Sequence, residues 1–362
     1  MFKKDWIIYK VLSGSHAYGL AREDSDYDYR GIMILDEIYY LSPFKKIKQM
    51  EDKQNDTVIY ELRKYINLAT QANPNVLELL FIDEKFIDVI TEEGKLIRDN
   101  RNLFLSAKVK FTYSGYAFAQ LKRIKNHKKW IDNPPIKPTR ENLDKQHKWF
   151  NESTVVHMIN EFKEFMTINL IDKLFYKLMD KNVKVDRNWL EMILRSILGD
   201  IPLYYFKDYT VRFFRSISSN FLKEEYADFL KKEFEYYLTM KEWNDYNRWK
   251  TNRNPKRAEL ERKYGYDIKH ATQLVRLIIQ GKEILTKGTL TINISNLEEI
   301  QAVKNGEWSY EYLLEWIEGK EKELDKIYKD GRWLDFIPHS PDINKIENLV
   351  LEIFNMRFKN KN

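Results

Sequence analysis

The chain of 362 residues contains no cysteine. That absence excludes disulfide scaffolds, thiolate metal sites and cysteine nucleophiles, and it fits a reducing compartment. Glycine and proline are scarce, 12 and 9 residues, which excludes collagen-like and linker-rich chains and leads us to expect long helices. No stretch reaches the ~18 to 20 apolar residues needed to span a bilayer. Lys10 interrupts the apolar residues that follow Lys3 and Lys4 before a signal-peptide core can form. The expectation is a cytoplasmic protein with no membrane contact.

Aromatic residues, in contrast, are plentiful: 23 Tyr, 20 Phe and 9 Trp within a hydrophobic fraction of 43%, enough for a large core and two or three domains. The net charge of +6 hides a segregation. Residues 1–105 carry 15 basic against 18 acidic side chains, residues 108–150 carry 11 against 3, and residues 241–282 carry 11 against 5. An acidic front and two basic windows suggest metal handling in the first part and phosphate handling in the rest; the plainer reading is lysine-rich composition on solvated faces.

Apolar residues from Trp6 to Leu12 read as a buried strand that ends at Ser13-Gly14-Ser15, a strand-to-helix turn, with a short helix over His16 to Leu20. A second strand is expected from Asp26 through Leu35 and a third at Val58-Ile59-Tyr60, followed by a helix through Leu62, Tyr65, Ile66 and Ala69. Asn73-Pro74-Asn75 ends that helix and starts another. Beyond Leu103 the pattern is helical almost throughout, with a Pro-rich break at residues 133–138 and a small extended segment at 286–294.

Asp26 and Asp28, two apart on an expected strand, leave from one face. Two such carboxylates can hold or bridge divalent cations. Gly14-Ser15 opens a helix whose first N–H groups suit a phosphate. A phosphate cradle and a metal clamp within fifteen residues is what phosphoryl or nucleotidyl transfer requires. Each element alone occurs readily in solvated turns and helix caps, so their order and spacing carry the signal.

The runs Ser13-Gly14-Ser15-His16-Ala17-Tyr18-Gly19 and Ser25-Asp26-Tyr27-Asp28-Tyr29-Arg30-Gly31 resemble the signature of the polymerase-beta-like nucleotidyltransferases, and more narrowly of those associated with RNA repair. Further blocks look similar: Tyr60-Glu61-Leu62-Arg63, Asn73 to Leu80, Gly115-Tyr116-Ala117 with Gln120 to His127, and Tyr264-Gly265-Tyr266-Asp267 with Lys269-His270-Ala271 and Arg276-Leu277, so the likeness runs over roughly residues 5–290. Gln273 stands where the family is expected often to have histidine. The resemblance implies an α+β protein, with an N-terminal α/β nucleotidyltransferase domain over residues 1–105 and a larger all-helical domain over 106–362 that binds acceptor and nucleotide. It implies Mg²⁺ in a two-metal site held by Asp26, Asp28 and a third carboxylate from a neighbouring strand. Glu61, at the end of the third strand and inside a family-like block, is favoured over Asp56 near its start; the plainer role for Glu61 is to open the following helix. Ser13, Gly14, Ser15, Arg30, Lys269 and His270 are the expected nucleotide-binding residues, with Arg30 equally suited to a structural ion pair. Glu78, between apolar neighbours, reads as a buried partner or a helix cap.

In the helical half, Lys122, Arg123 and His127 lie among lysines and aromatic residues, a mixture that suits an RNA end; Arg140 and Arg276 are the other expected RNA contacts. The plainer reading is an amphipathic helix with snorkelling lysines. Arg140 and His147 also fit the loose Arg-X4-6-His pattern of helical ribonucleases, which occurs readily by chance. His16, His157 and His339 have no ligand-spaced partners, which speaks against zinc. The sequence therefore points to an enzyme that transfers a nucleoside monophosphate from an NTP, with ATP among the candidates, to an RNA 3′ hydroxyl, tRNA among the acceptors. The alternatives are the same chemistry on a protein or small-molecule hydroxyl, and a non-catalytic RNA-binding module.

Overall fold

Strands β1 (Ile7–Ser13), β2 (Asp28–Met33), β3 (Gln49–Asp52), β4 (Thr57–Glu61) and β5 (Ile87–Ile90) form a mixed sheet in the order β3-β4-β2-β1-β5 in the computed structural model. The structure describes residues 3–23, 25–52, 54–143, 152–181, 183–199 and 224–359. β1 runs antiparallel to β2 and β5, β3 antiparallel to β4, and β2 parallel to β4. The alternation of β2 explains its central place. Ile32 and Ile34 join the main core, whereas Met33 and Leu35 pack with Trp6 and Ile59 in a smaller cluster, as the two faces of a pleated strand require.

The expected third strand is thus the fourth in the chain, since both sheet edges, β3 and β5, escaped the sequence pattern. They are four residues each and largely polar or half-buried, which is how edge strands avoid pairing with other chains. Helices α1 (Gly14–Ala17), α2 (Ile38–Leu41), α3 (Leu62–Thr70), α4 (Pro74–Leu77) and α5 (Glu92–Asp99) complete the front part. Asn73 caps α4 by accepting the Asn75 N–H at 3.1 Å, with Pro74 in the first turn.

The remaining described residues are mostly helical: α6 (Val109–Asp132), α7 (Arg140–Leu143), α8 (Glu152–Met179), α9 (Arg187–Gly199), α10 (Glu224–Asn252), α11 (Pro255–Tyr264), α12 (Ile268–Lys287), α13 (Glu298–Lys304), α14 (Tyr310–Lys329) and α15 (Ile343–Lys359). The segment expected to be extended at 286–294 begins inside α12 and continues as irregular chain, tied to the front part by the Ile294 N–H donating to the Tyr18 carbonyl at 3.1 Å. α6 and α12 run against each other. At Gly281 a Cβ would stand 3.2 Å from Tyr113 Cβ, so glycine permits the close crossing. No helix among the described residues is long and apolar enough to cross a membrane.

Compactness divides the chain differently from composition. One unit comprises residues 1–132 and 254–362, the other residues 133–253. α6, α12 and the C-terminal helices therefore share a unit with the sheet, where the composition shift suggests a boundary at residue 105. Their apolar faces explain this: Tyr113, Ala117, Leu274 and Ile278 belong to the same buried cluster as Ile8, Val11 and Ile32.

Candidate active site

β1 delivers Ser13 and Gly14 directly opposite the start of β2. Ser13 pairs with Asp28 in the antiparallel register, and its Oγ donates to the Asp28 carbonyl at 2.9 Å. Gly14 adopts φ +67°, and a Cβ there would lie 2.5 Å from Asp28 Oδ2. Glycine is needed on both counts, conformation and space. The helix it opens is only one turn, Gly14–Ala17, rather than extending to Leu20. Asp28 is the first residue of β2, and Asp26 lies in the loop before it. The expected same-strand pairing of the two aspartates is therefore corrected, yet both line one pocket with Ser15. Beside them His16 stacks on Tyr27 with ring centroids 4.5 Å apart.

A third carboxylate does converge on Asp28, and it is Asp56. Burial, the hydrogen bond with Asp56, and the Asp56 charge push the Asp28 carboxyl up to about 6, against the opposing Arg30 guanidinium. Asp56 turns the chain into β4 with φ +39°, a conformation that Asp tolerates better than most residues. Arg30 straddles the pair: Nη1 donates to the carbonyls of Asp56 at 2.6 Å and Tyr29 at 2.8 Å, while Nη2 lies 3.3 Å from Asp56 Oδ1 and 3.6 Å from Asp28 Oδ1. Arg30, expected on a phosphate, thus holds the carboxylates.

Glu61 is elsewhere. The parallel register sets Thr57 beside Tyr29 and Glu61 beside Met33, at the far end of β2 and on the order of 16 Å from Asp28 at the rise of a strand. Its side chain, 4% exposed, caps α3 by accepting the N–H groups of Arg63 at 3.1 Å and Lys64 at 3.2 Å. The metal-ligand assignment for Glu61 is corrected to a helix cap.

The pocket has a volume of about 290 Å³. Ser15, Asp26 and Asp28 face into it together with three cations, Arg22, Lys269 on α12 and Lys304 on α13. Burial and the nearby Arg22 lower the Lys304 pKa. An all-carboxylate donor set of Asp26, Asp28 and Asp56 has the chemistry of a Mg²⁺ site, and the Asp28 side chain, 29% exposed, lines the same pocket as Asp26. The residues present fit the ion.

Residues 3–138 match the family model RlaP, described as the RNA repair pathway DNA polymerase beta family. Over those residues the chain is similar to that family. The likeness is thus to a polymerase-beta-type family of RNA repair, over the front third of the chain. The match stops short of the block at 264–277 that the sequence likeness includes. Over 93 residues the chain is 34% identical to YcgL of Bacillus subtilis (strain 168), an uncharacterized protein; the alignment covers 25% of this chain and 36% of that one. The chain therefore spans about a third of the length of this curated relative. No solved structure matches the chain.

Around the pocket the other expected residues divide. Lys269 lines it, but His270 turns toward Asp267 and His127. Arg276 is 2% exposed and is corrected from an RNA contact to a core residue: Nη1 donates to Glu78 Oε2 at 2.7 Å and Gln280 Oε1 at 3.0 Å, Nη2 donates to Gln273 Oε1 at 2.8 Å, and its guanidinium lies 4.2 Å from the Tyr18 ring centroid. Tyr18 in turn donates to Glu78 Oε1 at 2.7 Å. Glu78 is the buried partner expected of it. Lys122 and Arg123 are exposed on α6, whereas the His127 side chain is largely buried and is corrected from an exposed RNA contact. Arg140 belongs to the second unit, its guanidinium 4.9 Å from the Tyr236 ring centroid; His147 and the side chain of His157 lie outside the described residues. Sequence reasoning missed Arg22 and Lys304. Arg22 lies between the two halves of the front motif, where spacing alone could have flagged it. Lys304 lies in a segment with no motif.

Proposed function

We propose that this protein transfers a nucleoside monophosphate from an NTP to the 3′ hydroxyl of an RNA, with tRNA among the candidate acceptors, and releases pyrophosphate. The observation that carries the reading is a single pocket with Asp26 and Asp28 beside the Gly14-Ser15 turn, Asp56 joined to Asp28 through Arg30, and Arg22, Lys269 and Lys304 among its walls. Carboxylates that hold a cation and cations that hold phosphates are both needed for this chemistry. The RNA acceptor is favoured by the family's description and by the exposed Lys122 and Arg123 on α6.

In this reading Lys269, Lys304 and Arg22 hold the triphosphate oxygens, and Ser15 donates to them from the turn. Asp26, Asp28 and Asp56 hold Mg²⁺, with Arg30 fixing the latter two carboxylates. When bound, Mg²⁺ neutralises phosphate charge and acidifies the attacking hydroxyl. The acceptor oxygen bonds to the α-phosphorus, the bond from that phosphorus to the bridging oxygen breaks, and pyrophosphate leaves with the electron pair. A carboxylate oxygen of Asp56 takes the hydroxyl proton.

The test supplies each of four α-labelled NTPs with Mg²⁺ and total small RNA or protein fractions, beside an Asp26→Asn/Asp28→Asn double variant. Label on RNA with the intact protein only is the expected result. Label on protein, or on nothing, contradicts the RNA reading.

A further inference from the structure

Three helices bring a second set of donors together beside the pocket. His127 lies near the end of α6, Glu261 on α11, and His270 in the first turn of α12, around the carboxylate of Asp267, the N-cap of α12. None of the four lines the pocket, although their neighbours Leu260 and Lys269 do. Asp267 Oδ1 accepts the His270 backbone N–H at 3.0 Å, which fixes the carboxyl plane. Its Oδ2 then lies 3.4 Å from His127 Nδ1 and 3.6 Å from His270 Nε2, and Glu261 Oε1 lies 3.7 Å from His127 Nδ1. Asp267 and Glu261 are 1% and 2% exposed, and both imidazoles are largely buried.

These separations suit an ion at the centre. One donor atom each from His127, Asp267 and His270 lies within 4.8 Å of the other two. Zinc holds nitrogen and oxygen ligands at ~2.0 to 2.2 Å, so the edges of its tetrahedron measure about 3.3 to 3.6 Å. Two imidazole nitrogens with carboxylate oxygens favour a transition ion over Mg²⁺, which takes oxygen donors and keeps several waters. The sequence spacing hid the set because only Asp267 and His270 are near each other in the chain.

We propose that His127, Asp267 and His270 ligate a zinc-class divalent cation, with Glu261 closing or orienting the shell, and that this ion ties the start of α12 to α6. It holds in place the turn that presents Lys269 to the pocket. The site is independent of the reaction assigned above.

The test is titration of the chelator-stripped full-length protein with Co²⁺, followed by Zn²⁺, read by the visible absorption of low-symmetry Co²⁺ and by metal content per chain. The expected result is one saturable equivalent of Co²⁺, displaced by Zn²⁺, with a raised thermal midpoint. Asp267→Asn keeps a good helix cap and removes the carboxylate, so it should fold and lose the saturable spectrum. Glu261→Gln should weaken affinity about 10- to 100-fold, and Asp26→Asn/Asp28→Asn should leave the equivalent in place. No saturable spectrum from the unmodified protein, unchanged affinity in Asp267→Asn, or loss of the spectrum in the Asp26/Asp28 variant would each overturn the proposal; the last would mean that the ion sits among the pocket carboxylates.

Discussion

The backbone of Gly14 approaches the carboxylate of Asp28 so closely that a single methyl group would come within 2.5 Å of Oδ2. The turn after β1 and the first residue of β2 are thus fitted to each other. Gly14→Ala must either move Asp28 or abandon φ +67°, a conformation that costs an L-residue ~1 to 2 kcal/mol. We expect a folded protein with transfer reduced on the order of 100-fold, the effect of a displacement of about 1 Å at a reacting centre. Normal turnover in Gly14→Ala would show that the turn does not set the position of Asp28.

The Asp28 carboxyl, pushed up to about 6 by burial and by Asp56, predicts a pH dependence. A carboxyl whose folded pKa is raised favours folding while protonated, so this contribution is present below its ordinary value of 3.8 and is lost as pH rises through about 6. Without Mg²⁺, thermal stability should fall across that window, and Asp28→Asn should flatten the fall. Mg²⁺ competes with the proton, so its affinity should rise over the same range. Thermal melts from pH 4 to 8, with and without Mg²⁺, read both effects.

Arg276 and Glu78 form an ion pair of 2.7 Å in the core, with Tyr18 bonded to the same carboxylate. Arg276→Met leaves Glu78 buried without its partner and should destabilise by about 3 to 5 kcal/mol. Arg276→Met/Glu78→Gln should recover much of this. Chemical denaturation of the two variants measures the difference; equal midpoints for the single variant and the unmodified protein would contradict the burial of the pair.

Lys269 and Lys304 reach the pocket from separate helices. Replacing either with alanine removes a charge-assisted contact worth ~1.5 to 3 kcal/mol, so KM for the NTP should rise about 10- to 100-fold. Lys122→Ala should instead leave nucleotide KM unchanged and weaken RNA binding with a shallower salt dependence. Steady-state kinetics and filter binding separate the two roles.

The central strands were legible because β1 and β2 carry continuous apolar runs, and α3, α4 and α14 because their caps and periodicity agree. The sheet edges were not, since Gln49–Asp52 is short and mostly polar, and Ile87–Ile90 is four residues long with an exposed Asp88 in it. At the site, the Gly-Ser turn and the Asp-X-Asp pair announced themselves through spacing. The third carboxylate did not: Glu61 and Asp56 are five residues apart, and only the β2–β4 register says which faces Asp28. Arg276 misled for a related reason. Arg276 lies seven residues from Lys269 on the same side of α12, but those two turns carry it into the core, where Glu78 from 198 residues away receives it. Long-range partners of this kind leave no local pattern.

The most direct measurement sets Asp56→Asn beside Glu61→Gln in the labelled-transfer assay, with thermal midpoints measured on the same samples. Asp56 close to Asp28 and Glu61 capping α3 predict opposite signatures. Asp56→Asn should lose transfer by at least about 100-fold and stay folded, while Glu61→Gln should lose about 1 kcal/mol of stability and keep its turnover. Transfer abolished by Glu61→Gln and retained by Asp56→Asn would contradict the site described here.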